Sequence, residues 1–386
     1  MTTHQWPAAL HGVIEADAAS SHVVIGAAGS GKTTLLIERA RHLVSRGLAP
    51  DAVRALTPSR AQATRLRDQL AHAIPVATKG PFATSVASLA FSIVTADHIA
   101  SGLPAPTLRS GADVDDDIRS LLDGWGGDSP FAGWLDPVVY QTETFRTELR
   151  ELMARVIEHG HSADDLVRWG EIHDRPEWRR AGAFMAEYQR VIARSRPHSF
   201  EPAELITRAA RIVERSLPDL LAELRVLLVD DLHDIPASAR LLIRQLVKRG
   251  ISVTAVGDPD SAGQTFRGSD PEAPAALADD LGVAPVYASQ VFRHGGPIRE
   301  RVQALSERVG TARAGQQRQV DTPVDTPEGV VSHVLSTTAT EENQAIAQYV
   351  ATMHHRHGIP LDQFAVISRQ AGSATGISRA LAQVDI

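Results

Sequence analysis

The chain has 386 residues, is 43% hydrophobic and 22% charged, and carries a net charge of −7. That length allows two or three domains with real cores. The acidic balance argues against bulk electrostatic coating of nucleic acid, though not against a narrow strand-binding groove. No apolar run approaches the ~18 residues that cross a bilayer, and the start, MTTHQWPAAL, lacks the regions of a signal peptide. With no cysteine, disulfides and thiolate metal sites are excluded, so the expectation is a cytoplasmic protein with no membrane partner.

In chain order, HVVIG (22–26) reads as a short strand. The helix after it, KTTLLIERARHLVSRG, puts Leu35, Leu36, Ala40 and Leu43 on one face and stops at Gly47. VRALT is the next strand and SRAQATRLRDQLAHAI the next helix, a βαβα rhythm that predicts a parallel sheet under covering helices. From about 97 to 197 strand candidates vanish, and VYQTETFRTELRELMARVIEHG and EWRRAGAFMAEYQRVIARS predict an all-helical insertion. The alternation resumes with RVLLVDD, the helix ASARLLIRQLVKRG, then ISVTAVGD and VAPVYAS. GTARAGQQRQVDTPVDTPEG reads as a connector, followed by the helix EENQAIAQYVATMHHRHG and a strand FAVIS that begin another α/β unit. The expected division is 1–96 with 198–292 as one discontinuous domain, 97–197 as the insertion, and 293–386 as the start of a second domain cut short.

Residues 26–33, GAAGSGKT, fit G-x-x-x-x-G-K-[ST]. Gly26, Ala27, Ala28, Gly29, Ser30 and Gly31 would wrap backbone N–H groups around phosphate oxygens. Lys32 would reach the β- and γ-phosphates, and the Thr33 hydroxyl would ligate Mg²⁺ at a helix N-terminus, with Thr34 beside it. Only Lys32, Lys79 and Lys248 are lysines among 39 basic residues, which makes the lysine at this position informative. The stretch LLVDDLHD then gains a meaning: Asp230 at a strand end would hold Mg²⁺, and Asp231 would orient the attacking water. Asp234 reads as a helix N-cap before PASARLLIRQL. The histidines of MHHRHG read as a polar helix end, DVDDDIRSLL as acids at a helix start, and HSADDLVRW as a capping box from Ser162 to Asp165.

The order of motifs resembles the UvrD/Rep/PcrA group of superfamily 1 DNA helicases, and within it the actinobacterial AdnA/AdnB helicase-nuclease subunits. LTPSRAQATRLRDQL and TSVASLAFSIV resemble DNA-contacting motifs, FEPAELI the helix leading back to the sheet, and LLVDDLHD the D-E-x-x-D motif. GDPDSAGQTFRGSDP is similar to G-D-x-x-Q-x-I-Y-x-F-R-G-A, and QVFRHGGPIRERV to the N-Y-R motif that opens the second motor domain. The resemblance implies an α/β fold, a RecA-like P-loop sheet with a helical insertion and the start of a second RecA-like domain. It implies ATP with Mg²⁺, 3′-to-5′ movement on single-stranded or duplex DNA in repair or break processing, and a second helicase-nuclease subunit as partner. By match, Phe292 would stack on adenine and Arg293 would reach the γ-phosphate. Phe266 and Arg267 would contact single-stranded DNA, with Ser59, Arg60 and Ser88 along its backbone.

The sequence also departs from that pattern. Asp231 stands where glutamate is expected, about 1.5 Å shorter, which predicts a working but attenuated ATPase. Ser261 replaces the γ-phosphate-sensing glutamine, Gln264 a tyrosine near DNA, and Thr57 an aromatic platform. His11 falls at about the distance of the adenine-reading glutamine. Motifs beyond Ile386 are expected to be needed for unwinding, so the 386-residue chain is expected to bind nucleotide weakly and unwind nothing by itself. Two other readings stand beside the motor: a non-catalytic motor-like subunit that holds DNA or a partner, and a P-loop ATPase unconnected with DNA.

Overall fold

Side chains alternate across a strand, so a strand buried on both faces must be apolar throughout. The run 226–229 meets that condition: Val226 and Leu228 face one layer of helices and Leu227 and Val229 the other, all fully buried. In the computed structural model, which describes residues 6–125, 129–263, 269–310, 315–321, 329–369 and 372–386, this run is the third strand of a six-stranded parallel sheet. The chain divides into two compact units, 1–328 and 329–386.

The strands of the first unit are β1 (His22–Ile25), β2 (Val53–Thr57), β3 (Ala83–Ser85), β4 (Thr107–Leu108), β5 (Ser199–Phe200), β6 (Val226–Val229), β7 (Ser252–Gly257) and β8 (Val286–Tyr287). The large sheet has the order β3-β2-β6-β7-β1-β8, with every pairing parallel. Helices α1 (Ala8–Glu15), α2 (Lys32–Ser45) and α3 (Arg60–Ala73) cover one face. Helix α4 (Val86–Ala100) covers the other face, together with α10 (Pro202–Arg215), α11 (Ala237–Lys248) and α12 (Ala273–Leu281). The expected apolar face of α2 is buried, but so is Arg39, fully. Its guanidinium donates to Thr254 Oγ1 and to the carbonyls of Val13, Ala16, Asp17 and Ser20, which ties the turn between α1 and β1 to the sheet.

Helices α5 (Gly111–Trp125), α6 (Pro137–Tyr140), α7 (Glu143–Glu158), α8 (Ala163–Ile172) and α9 (Pro176–Ser195) form the insertion around their own core of Phe131, Leu149, Leu166, Phe184, Met185 and Tyr188. Helix α8 starts with the expected capping box between Ser162 and Asp165. The region is not free of strand: β4 pairs in parallel with β5, where the chain leaves and re-enters the insertion. Two residues are too few to show a period, and only the partner makes them a strand. At this root Arg109 is buried, donating to the Tyr188 hydroxyl at 2.6 Å and to Glu204 Oε2 at 2.9 Å, with Glu201 Oε1 at 3.5 Å. Burial and the adjacent Glu204 push the Glu201 carboxyl up to about 7, against the pull of Arg109.

The connector expected over 310–329 is partly anchored. Asp321 accepts from Val291 N and donates to Ser289 O, and Arg318 binds both oxygens of Asp260. Buried Gln317 donates to Asp260 Oδ2 at 3.0 Å, and buried Arg299 of α13 (Gly296–Ser306) donates to Arg318 O. The Gly and Pro content signals breaks in regular structure, but not whether a segment is held by side chains from elsewhere.

In the second unit, α14 (Ala339–His357) is capped by Thr338 at its start and by Gly358 at φ 67° at its end, with the three histidines on its last turn. It packs on α15 (Ser373–Ala382) so closely that a Cβ at Gly376 would come within 2.7 Å of Asn343 Nδ2. The strand expected at FAVIS does not form: residues 364–368 have no ladder partner among the described residues, and Ile367 is exposed.

Candidate functional site

The sheet turns its carboxyl ends toward one edge, where open parallel sheets place ligands. From β1 the chain enters the loop 26–31. Gly26 N–H donates to Gly257 O, and a Cβ on Gly26 would lie 2.5 Å from Ser30 Oγ and 2.8 Å from Ala288 Cβ. Gly29 and Gly31 have φ of 83° and 82°, a left-handed backbone that side chains disfavour. Gly31 is the N-cap of α2 and no side chain caps that helix, so its first N–H groups are open to an anion. Inside the loop the Ser30 hydroxyl is buried with no partner among the described residues. Lys32 Nζ folds back to donate to Gly26 O at 2.7 Å and Ala27 O at 2.9 Å. Burial lowers its pKa, while Asp258, Asp231 and Asp230 pull it upward.

Thr33 Oγ1 donates to Asp230 Oδ2 at 2.9 Å and lies 3.2 Å from Oδ1, joining the loop to the end of β6 across 197 positions. Asp230 is buried. Burial and neighbouring Asp231 push its carboxyl up to about 6, opposed by the bonds from Thr33 and Asp231 N–H and by Lys32. Asp231 adopts φ 46°, ψ 49°, a left-handed conformation that aspartate tolerates better than most residues, and its Oδ2 accepts from Gln62 Nε2 at 3.0 Å. Asp258, at the end of β7, accepts from Ser261 Oγ at 2.6 Å, and its N–H donates to His233 Nδ1 at 3.1 Å. Burial lowers the His233 pKa, and the neutral ring is what accepts that bond.

Asp234 does not cap α11. It ends a 3₁₀ turn (Leu232–Asp234), and α11 starts three residues later, at Ala237 behind Pro236, with no side-chain cap. The proline and Ile235 intervene, which puts the carboxylate a turn too early to reach the helix donors.

The segment after β8 lies across the loop: Phe292 N–H donates to Gly29 O, and Arg293 Cβ comes 2.9 Å from the position a Cβ on Gly29 would take. Phe292 is met edge-on by Trp6 at 6.2 Å between ring centroids, and the Trp6 ring lies 3.1 Å from a Cβ built on Gly31. Trp6 and Thr34 line a cleft of about 980 Å³ with His11, which is exposed and pairs with Glu15 at 3.2 Å. Ser59 caps α3 by accepting from Gln62 N–H, and Arg60 follows it exposed. Ser88 is in the first turn of α4, sharing a hydrogen bond with Ser85 at 2.8 Å. Phe266, Arg267 and Gln264 lie outside the described residues.

Gln62, Trp6 and His233 went unnoticed in the sequence. Gln62 carried a signal, the spacing S-x-x-Q at a helix start. Trp6 and His233 carried none, because their places depend on contacts across the fold.

The sequence profile of the UvrD/REP helicase N-terminal domain matches residues 4–281. A protein of Mycoplasma pneumoniae described as a probable DNA helicase is 23% identical over 364 residues, covering 90% of this chain and 64% of the relative. The chain thus spans somewhat under two thirds of that relative's length. With a glycine loop, a helix N-terminus and a carboxylate converging at the end of a parallel sheet, and the profile matched across all three, the chain belongs to the UvrD/REP helicase family through its N-terminal domain.

Proposed function

We propose that this chain is the nucleotide-binding motor portion of an ATP-dependent DNA helicase that moves 3′ to 5′ along single-stranded DNA in repair or double-strand-break processing. The observation that carries the reading is the Thr33–Asp230 contact at 2.9 Å beneath an uncapped helix and a loop that only glycine can form at Gly26. Backbone N–H groups of 26–34 hold the phosphates, and Lys32 leaves the loop carbonyls for the β- and γ-phosphates. Thr33 and Asp230 offer the hard oxygen donors that suit Mg²⁺. Held by these two residues, Mg²⁺ would supply neutralisation of the charge that develops on the transferred phosphoryl group. Asp231 orients the attacking water, Arg293 meets the γ-phosphate, and Phe292 stacks on adenine with His11 at the cleft rim.

Ser59, Arg60, Ser88, Phe266 and Arg267 form the DNA path, where an aromatic contributes about 1–3 kcal/mol per stacked base. The motor is divided as 1–96 with 198–292, a helical insertion 97–197, and a second RecA-like domain that begins at 293. The protein works in the cytoplasm alongside a second subunit, in the manner of AdnA and AdnB. Unwinding of duplexes with 3′ or 5′ single-stranded tails tests the proposal. Joined to the remaining motifs of the family, the motor should separate the 3′-tailed substrate with Mg-ATP and lose that activity with Lys32→Ala; a preference for the 5′ tail overturns the polarity.

Ser261 favours a second reading. Its hydroxyl is engaged by Asp258 at 2.6 Å rather than directed to a nucleotide, which supports an attenuated motor that holds DNA or a partner. DNA binding with no ATP hydrolysis above the Lys32→Ala control would favour it.

A further inference from the structure

Asp231 is tied to the far side of the site through one residue. Gln62 sits three positions after the N-cap Ser59, where a capping box would turn its side chain back to the Ser59 backbone N–H. It does otherwise: Nε2 donates to Asp231 Oδ2 at 3.0 Å, and Oε1 accepts from Ser59 Oγ at 2.6 Å. A carboxylate only accepts, so the amide nitrogen must face Asp231, and this leaves the amide oxygen for the serine hydroxyl. Ser59 is exposed, Gln62 half-buried, and Asp231 held at φ 46° next to buried Asp230. Ser59–Gln62–Asp231 is therefore a continuous hydrogen-bonded line from the surface at the start of α3 to the nucleotide site.

We propose that Gln62 is a positioning residue that couples single-stranded DNA to the nucleotide site by holding Asp231 against α3 until a phosphodiester takes the Ser59 hydroxyl. The inference rests on the proposed function above. Ser59 has one hydroxyl hydrogen, and an oxygen of the DNA backbone that accepts it takes it from Gln62 Oε1. The amide then loses the partner that fixes its rotation, its bond to Asp231 loosens, and the carboxylate is free to turn toward the γ-phosphate and its water. By reciprocity, Mg-nucleotide that draws Asp231 away frees Gln62 and tightens DNA by the same factor. The expected coupling is about two- to tenfold, the size of one net hydrogen bond.

The test is the affinity of the full chain for fluorescent oligo(dT), measured by anisotropy with and without Mg²⁺ and a non-hydrolysable ATP analogue. The readout is the ratio of the two affinities. Wild type should show the two- to tenfold ratio; Gln62→Ala, which keeps the Ser59 cap to the backbone, should bring it to about one. Gln62→Glu, which keeps the helix start but cannot donate to Asp231, should do the same. In the hydrolysing protein Gln62→Ala should raise the DNA-free rate, a gain that structural damage would not produce. A ratio in both variants equal to wild type overturns the relay, as does a wild type that binds both ligands without coupling; either result leaves the motor reading intact. Failure of wild type to bind either ligand overturns the motor reading and the relay together.

Discussion

The carboxyl end of the sheet and the root of the helical insertion both bury a carboxylate, and burial raises its pKa in each: Asp230 to about 6 and Glu201 to about 7. They differ in what answers the charge. At the root a fixed cation, Arg109, sits among Glu201, Glu204 and Asp117 and also binds the Tyr188 hydroxyl, so the counter-charge is built into the chain. At the sheet end Asp230, Asp231 and Asp258 converge near one lysine whose ammonium is turned onto loop carbonyls, beside a helix with no cap. A perturbed carboxyl is common to a structural joint and a ligand site. The distinguishing features are the uncapped donors and a lysine held by loop carbonyls rather than by the carboxylates.

That contrast can be broken at either place. The largest effect is expected from Arg109→Ala, which leaves buried carboxylates without their cation and should lower stability by about 3–5 kcal/mol in chemical denaturation. Mg-ATP affinity of the fraction that remains folded should not change; a parallel loss would mean that the two clusters are one system. Next is the pH dependence of the root. Glu201 binds its proton more tightly folded than unfolded, so stability should fall as pH rises from about 4.5 to 7 and then level off. Glu201→Gln removes the titration and should flatten that slope, gaining up to about 3 kcal/mol on wild type between pH 5 and 8 in urea melts. The smallest effect is at the cleft beside the 26–31 loop. Trp6 packs on Gly31 and edge-on to Phe292, so Trp6→Ala should weaken ATP about two- to tenfold while inorganic tripolyphosphate binds as before. Equal losses for both ligands would place Trp6 in loop support rather than base recognition.

Local chemistry explains what could be read in advance. The run from β1 through 26–33 into α2 carries its own glycines, lysine and helical face, and β6 is apolar throughout with its aspartates at the end. Such features are set within a few residues. What escaped depends on residues far apart in sequence: Arg39 is buried because distant carbonyls fill its donors, and β4 exists only because β5 lies beside it. The FAVIS run has strand composition but no neighbour to pair with among the described residues. Asp231 looked like a matter of one missing methylene; its φ of 46° and its bond to Gln62 are properties of the fold.

The central claim is that the loop 26–34 and Asp230 together hold Mg-ATP. Calorimetric titration of ATP into the chain, with and without Mg²⁺, against wild type, Lys32→Ala and Asp230→Asn, tests it most directly. Wild type should bind, Lys32→Ala should lose more than about tenfold as a charged hydrogen-bond donor is removed, and Asp230→Asn should lose the Mg²⁺-dependent part of the affinity. Binding of equal strength in all three proteins would contradict the account.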